Sequence, residues 1–172
     1  MQLRTALPAD IPALHALIES AFRGESAKRG WTHEADLLGG QRTDPETLAE
    51  VFGDPRQTML LAETDAALIG CVNVTDLGEG VGYLGMLTVS PDLQGGGLGR
   101  KLVAAAEAHA RDVLGARVME MSVIKQRTEL IAWYLRQGYA DTGREKPFPL
   151  DDPRFGLPKT RELKFVVLAK TL

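Results

Sequence analysis

At 172 residues the chain is long enough to bury one core and short for two, and its 44% hydrophobic and 25% charged residues suit an ordinary globular protein. A formal net charge of -3 leaves no electrostatic footprint for nucleic acid. The apolar runs fall well short of the roughly 18 residues that a membrane span needs, and MQLRTALPAD lacks a signal peptide's apolar region, so no membrane contact and a cytoplasmic location are expected.

In chain order, Gln2 to Ala6 reads as a short strand. Pro8-Ala9-Asp10 opens a helix with Ile11, Leu14, Leu17, Ile18 and Phe22 at helical spacing. Arg23 to Gly40 reads as an irregular segment with one short helix, carrying the isolated group Trp31-Thr32-His33-Glu34. Asp44-Pro45-Glu46 starts a helix through about Phe52, because proline suits a first turn and acids suit a helix N-terminus. Then the period changes to two: Thr58 to Glu63, Ala67 to Thr75 and Val81 to Val89 read as an antiparallel meander turning at Asp65 and Gly78-Glu79-Gly80. Cys71, the one cysteine, lies in the apolar run Leu68-Ile69-Gly70-Cys71-Val72, which excludes an internal disulfide and reads as a buried structural thiol.

After SPDLQGGGLGRKL, one apolar helix face is expected from Leu98, Leu102, Val103, Ala106, Ala110 and Val113, with Gly115 as its C-terminal cap. Val118 to Ile124 reads as a strand and Thr128 to Gln137 as a helix stopped by Gly138. Asp141 to Lys159 reads as a long loop, and Leu163 to Leu168 as a closing strand buried on both faces. A meander followed by a strand-loop-helix-strand crossover predicts a single three-layer α/β domain over residues 1–172, with a mixed, mostly antiparallel sheet flanked by helices.

Three phosphate-binding schemes compete for QGGGLG, beside the plain reading of a tight turn that caps a helix. A P-loop fails, because Gly99 is followed by Arg100 where lysine is required. A dinucleotide fingerprint fits at Gly95 and Gly97 but places Arg100 at its third position; Glu120 stands at a workable distance for ribose contact, so this reading stays open. The third scheme, Gln/Arg-x-x-Gly-x-Gly/Ala, is met by Gln94, Gly97 and Gly99. Its physics is coherent: glycines let the backbone approach an anion, and free amides at a helix N-terminus donate to phosphate oxygens.

That loop, between a strand Leu-Thr-Val and an amphipathic helix, resembles the acetyl-CoA-binding motif of the GNAT acetyltransferase superfamily. The order of elements over about residues 3 to 168 resembles that fold, and Trp133-Tyr134-Leu135-Arg136-Gln137-Gly138-Tyr139 resembles the ending of the family's penultimate helix. The resemblance implies an N-acetyltransferase that moves an acetyl group from acetyl-CoA to a primary amine in a ternary complex, a small-molecule acceptor being favoured over a protein N-terminus or lysine. A non-catalytic acyl-CoA-binding or regulatory module is the alternative on the same scaffold. Cofactor contacts are then expected from Met86, Leu87, Val89, Gln94, Gly95, Gly96, Gly97, Gly99 and Arg100, with Gly85 marking a bulge that frees amides near Met86 and Leu87. Tyr134 is expected beside the departing thiolate. Arg127 stands where many members have asparagine, and is assigned to a cofactor phosphate, with pairing to Glu129 or Asp36 as its alternatives.

The general base is expected to be Glu34, with His33, Glu79 and a chain of waters as rivals. Trp31, Phe22 and the loop from Phe148 to Phe155 are expected to shape the acceptor pocket. His15 and His109 lack ligand spacing, so no metal is expected. Edge strands of such a sheet often support a homodimer.

Overall fold

The structure, a computed structural model, describes residues 1–172. Seven strands form one sheet in the order β1-β3-β4-β5-β6-β9-β7: β1 (Gln2–Thr5), β3 (Gln57–Glu63), β4 (Leu68–Gly78), β5 (Val81–Val89), β6 (Val118–Ile124), β9 (Lys164–Thr171) and β7 (Ala140–Pro147). Only β5 and β6 run parallel, joined through the helix α4 (Leu98–Asp112), so the sheet is mixed and mostly antiparallel. The β4–β5 hairpin turns where expected, with Gly78, Glu79 and Gly80 all at positive φ.

Helices cover both faces. On one, α1 (Ile11–Phe22) and α3 (Pro45–Gly53) bury Leu14, Ile18 and Leu48 against Met59, Leu61 and Cys71. The start of α3 follows from its sequence: Asp44 caps it by accepting from the Thr47 amide at 2.7 Å, and Pro45 needs no donor there. On the other face, α4 and α5 (Thr128–Arg136) lie over Val72, Val74, Leu84, Met119 and Met121. Leu14 and Leu102 are both 0% exposed, one on each face, and replacing either by alanine would cost about 2–5 kcal/mol. Cys71 is likewise fully buried, and burial pushes its thiol up to about 12, which makes it inert packing. No helix is long and apolar enough to cross a membrane.

Three readings of the sequence need correction. Asp141 to Lys159 is not one long loop: it contains all but the first residue of β7, a 3-10 turn at Pro153–Phe155 and β8 (Leu157–Pro158). β7, written ADTGREKP, is exposed at every position, so it carries no apolar alternation to betray it. Its charges and terminal proline are the devices that keep an edge strand from recruiting another chain. Val113 lies past the end of α4 and is 67% exposed, outside the apolar face expected for it. The irregular segment 23–40 holds the one short helix expected there, α2 (Gly24–Ala27), but also an unforeseen strand β2 (Leu38–Gly39), which pairs antiparallel with β8. The two weakest regions of the pattern reading are thus knitted together, helped by Lys159 Nζ donating to the Ala35 carbonyl at 2.6 Å.

Candidate active site

The parallel pairing of β5 with β6 stops at Tyr83 opposite Glu120, and beyond it the two strands diverge. Three residues later β5 bulges: Asn73 pairs with Gly85 but Cys71 pairs with Thr88, so Val72 alone faces Met86 and Leu87. Met86 sits at a φ of 51°, a strained value for a side chain of this kind, and the Thr88 hydroxyl secures it by donating to its carbonyl at 2.9 Å. Peptide groups of β5 that point toward β6 past Tyr83 therefore have no ladder to join. The bulge expected at Gly85 is centred one residue on.

Into this opening falls a cleft of about 280 Å3. Its walls are β5 from Leu84 to Val89, β6 from Met121 to Ile124, the loop before α4 and the inner face of α5. Of the residues expected at the site, Met86, Leu87, Val89, Gln94, Gly95, Gly97, Gly99, Arg100, Arg127, Tyr134 and Glu34 all line it. Gly96 does not, although it belongs to the same loop. Phe22 and Trp31 line it as well. Phe148 instead packs with Leu38, Ile124 and Leu163, and Phe155 is turned outward at 41% exposure.

At one end the loop presents backbone. Gly97 is the N-cap of α4 at a φ of 83°, and a Cβ there or at Gly95 would meet nothing within 4 Å, so the turn is open beside both glycines. The first amides of α4 have no acceptor in their own helix, and the helix dipole adds a partial positive charge. The Gln94 side chain is engaged within the protein. Its carboxamide accepts from the Thr32 amide at 3.4 Å and donates to the Val89 carbonyl at 3.3 Å, which ties the loop to the segment before β2.

Midway, Tyr134 is 5% exposed, edge-on to Trp133 at 5.0 Å, and Trp133 in turn lies against the first turn of α4 at Gly99. Burial pushes the Tyr134 phenol well above its ordinary range, with Arg127 opposing weakly, so the hydroxyl stays a neutral donor at any working pH. Across the cleft Ser122 contributes a buried hydroxyl oxygen with no partner in the protein.

At the far end the recognition groups are side chains. Glu34 is 7% exposed and both its oxygens are taken, Oε2 by Arg23 at 2.5 Å and Oε1 by Arg127 at 3.0 Å. Burial alone would raise its pKa, but the charges of Arg127, Arg42 and Arg23 outweigh that and hold it below the ordinary carboxylate value. Arg127 also donates to the Thr32 hydroxyl at 2.7 Å, and Arg23 to the Phe155 carbonyl at 3.2 Å. The arrangement bears on two expectations. A carboxylate doubly paired and acidified in this way is a poor proton acceptor, which weighs against Glu34 as base. Arg127 pairs with Glu34, not with Glu129 or Asp36. The rivals fare no better: Glu79 sits exposed in the β4–β5 turn, and His33 spends its Nδ1 on the Ala35 amide.

Sequence reasoning passed over Arg42 and Ser122. Arg42 lies in a segment without periodicity, and only its charge could have drawn notice. Ser122 is one polar position in an apolar strand, a pattern too common to be a signal.

Comparison with known proteins bears on the family and the fold. The family model of the acetyltransferase (GNAT) family matches residues 13–139. The mycothiol acetyltransferase of Cellulomonas flavigena is 33% identical over 159 residues, which cover 83% of this chain and 44% of that protein, so the chain spans less than half of that relative's length. The IAA acetyltransferase of Azospirillum brasilense is 34% identical over 110 residues, covering 63% of this chain and 68% of that one. Among solved structures, yncA from Salmonella typhimurium, determined with acetyl-CoA, superposes with a TM-score of 0.71 at 20% identity over 100% of this chain and 94% of the other, a likeness of fold.

Proposed function

This chain belongs to the acetyltransferase (GNAT) family, and from that premise we propose that it transfers the acetyl group of acetyl-CoA to the primary amine of a small molecule, by direct attack in a ternary complex. The observation that carries the reading is the alignment, within one cleft, of an open amide turn, a splayed and bulged strand and a buried tyrosine.

Acetyl-CoA supplies the acyl group as a thioester; a C–N bond forms as the C–S bond breaks, the amine gives up a proton and the thiolate gains one. The amides of Gly95 to Gly99 and the N-terminus of α4 would take the pyrophosphate, with Arg100 at the rim. The strand Met86 to Val89 would hold the pantetheine arm, its unpaired peptide groups beside the bulge donating to the carbonyl oxygen as it gains charge. The open side of the turn and the unpartnered Ser122 hydroxyl fit a polar, amide-bearing arm. Tyr134, kept neutral by burial, donates its proton toward the sulfur.

Glu34 acts by holding Arg23 and Arg127 in place. The guanidinium groups at that end disfavour an ammonium ion, which lowers the pKa of a bound amine, so a proton can leave to solvent without a dedicated base. A thiol-release assay with acetyl-CoA across an amine panel tests the proposal. Turnover with at least one amine supports it; coenzyme A bound with no turnover on any amine would favour the non-catalytic module.

A further inference from the structure

The charged groups lining the cleft are unbalanced. Glu34 is the only carboxylate among them, against Arg42, Arg100 and Arg127. Both oxygens of Glu34 are already spent on Arg23 and Arg127. The next carboxylate, Glu19, turns one oxygen to the backbone amides of Arg42 and Thr43, at 2.8 Å each, and leaves the Arg42 side chain alone. Glu129 accepts from the Thr32 hydroxyl and is exposed. Arg42 therefore makes no ion pair; its guanidinium lies over the Phe22 ring, 5.1 Å from the centroid. It lines the same cleft as Met86 and Tyr134.

A guanidinium over an aromatic ring keeps its edge N–H groups free, and that planar fork matches a carboxylate in bidentate fashion. An unpaired cation at the wall of a cleft also repels a polycationic ligand. We infer that the acceptor carries a carboxylate near its amine, as a free amino acid does, and that Arg42 binds that carboxylate while the amine faces Met86 and Tyr134. This inference rests on the proposed acetyl transfer and adds the class of acceptor to it. It places polyamines among the poor substrates.

Matched acceptors test it. Amino acids, their carboxamides and spermidine are compared by kcat/KM in the wild type and in Arg42→Ala and Arg42→Lys, with coenzyme A affinity measured by calorimetry in each. The expected result is a preference of about tenfold or more for acid over amide, arising in KM. Arg42→Ala should bring that preference within about threefold, and Arg42→Lys should restore part of it. Where no acceptor turns over, binding of N-acetyl amino acids to the coenzyme A complex is the readout, present in the wild type and weakened in Arg42→Ala. Equal use of acid and amide, better use of spermidine, loss of coenzyme A affinity in Arg42→Ala, or no binding of N-acetyl amino acids would each overturn the inference. Failure of the wild type to bind coenzyme A would overturn the proposed function itself.

Discussion

At the glycine-loop end of the cleft the recognition groups are backbone amides held by turn geometry, whereas at the Arg42 end they are side chains delivered by segments far apart in the chain. The loop end needs only Gln94 to Gly99 and the helix that follows. The Arg42 end draws on α1, the segment 31–42, Arg127 before α5 and the turn at Phe155. A backbone site is specified locally and is tolerant of side-chain change everywhere except at its glycines. A side-chain site is specified by a network, and one substitution propagates through all its members.

That contrast can be broken at its strongest point first. Gly97→Glu combines a left-handed backbone that costs a side chain about 1–2 kcal/mol with a carboxylate aimed into an anion site, and should weaken coenzyme A binding about a thousandfold. Calorimetry checks it, with circular dichroism to show that the fold persists; unchanged affinity would remove the loop from the site. Next, Glu34→Gln should destabilise the protein by about 3 kcal/mol or more in urea unfolding, because two buried guanidinium groups lose their counter-charge.

The pH dependence of that loss is also set. The folded pKa of Glu34 lies below its ordinary 4.5, so the stability it confers is complete above about pH 4.5 and falls away as the pH drops through the lower, folded value. The gap between wild type and Glu34→Gln should accordingly close in acid. A gap that stays constant would mean that the carboxylate is not charged in the fold.

A smaller effect is expected from Tyr134→Phe: kcat about thirtyfold lower, with coenzyme A affinity kept. Equal loss in both would make the tyrosine a packing residue. Smallest is Gln94→Ala, whose two long hydrogen bonds at 3.3 and 3.4 Å predict a rise in KM for acetyl-CoA of only roughly threefold. Steady-state kinetics decides it, and a hundredfold rise would show that the side chain, not the loop backbone, holds the donor.

The same contrast explains how much could be read in advance. Glycines at 95, 97 and 99 and the Tyr134-x-x-x-Gly138 spacing are short-range signals, because turn geometry and helix pitch act over a few residues. The meander and the crossover after it were legible from period and connection, whereas the placing of β9 between β6 and β7 was not. Glu34 was legible as a residue of interest, but its ion pairs were not, since its partners Arg23 and Arg127 stand 11 and 93 residues away. β7 was invisible because an exposed edge strand has no buried face to impose a period.

A structure of the protein with coenzyme A bound would show directly whether the cleft is the donor site. The pyrophosphate is expected on the amides of Gly95 to Gly99, the pantetheine along Leu87 to Val89, and the sulfur within hydrogen-bond reach of the Tyr134 hydroxyl. A pyrophosphate bound elsewhere, or a sulfur emerging away from Tyr134 and Met86, would contradict that assignment.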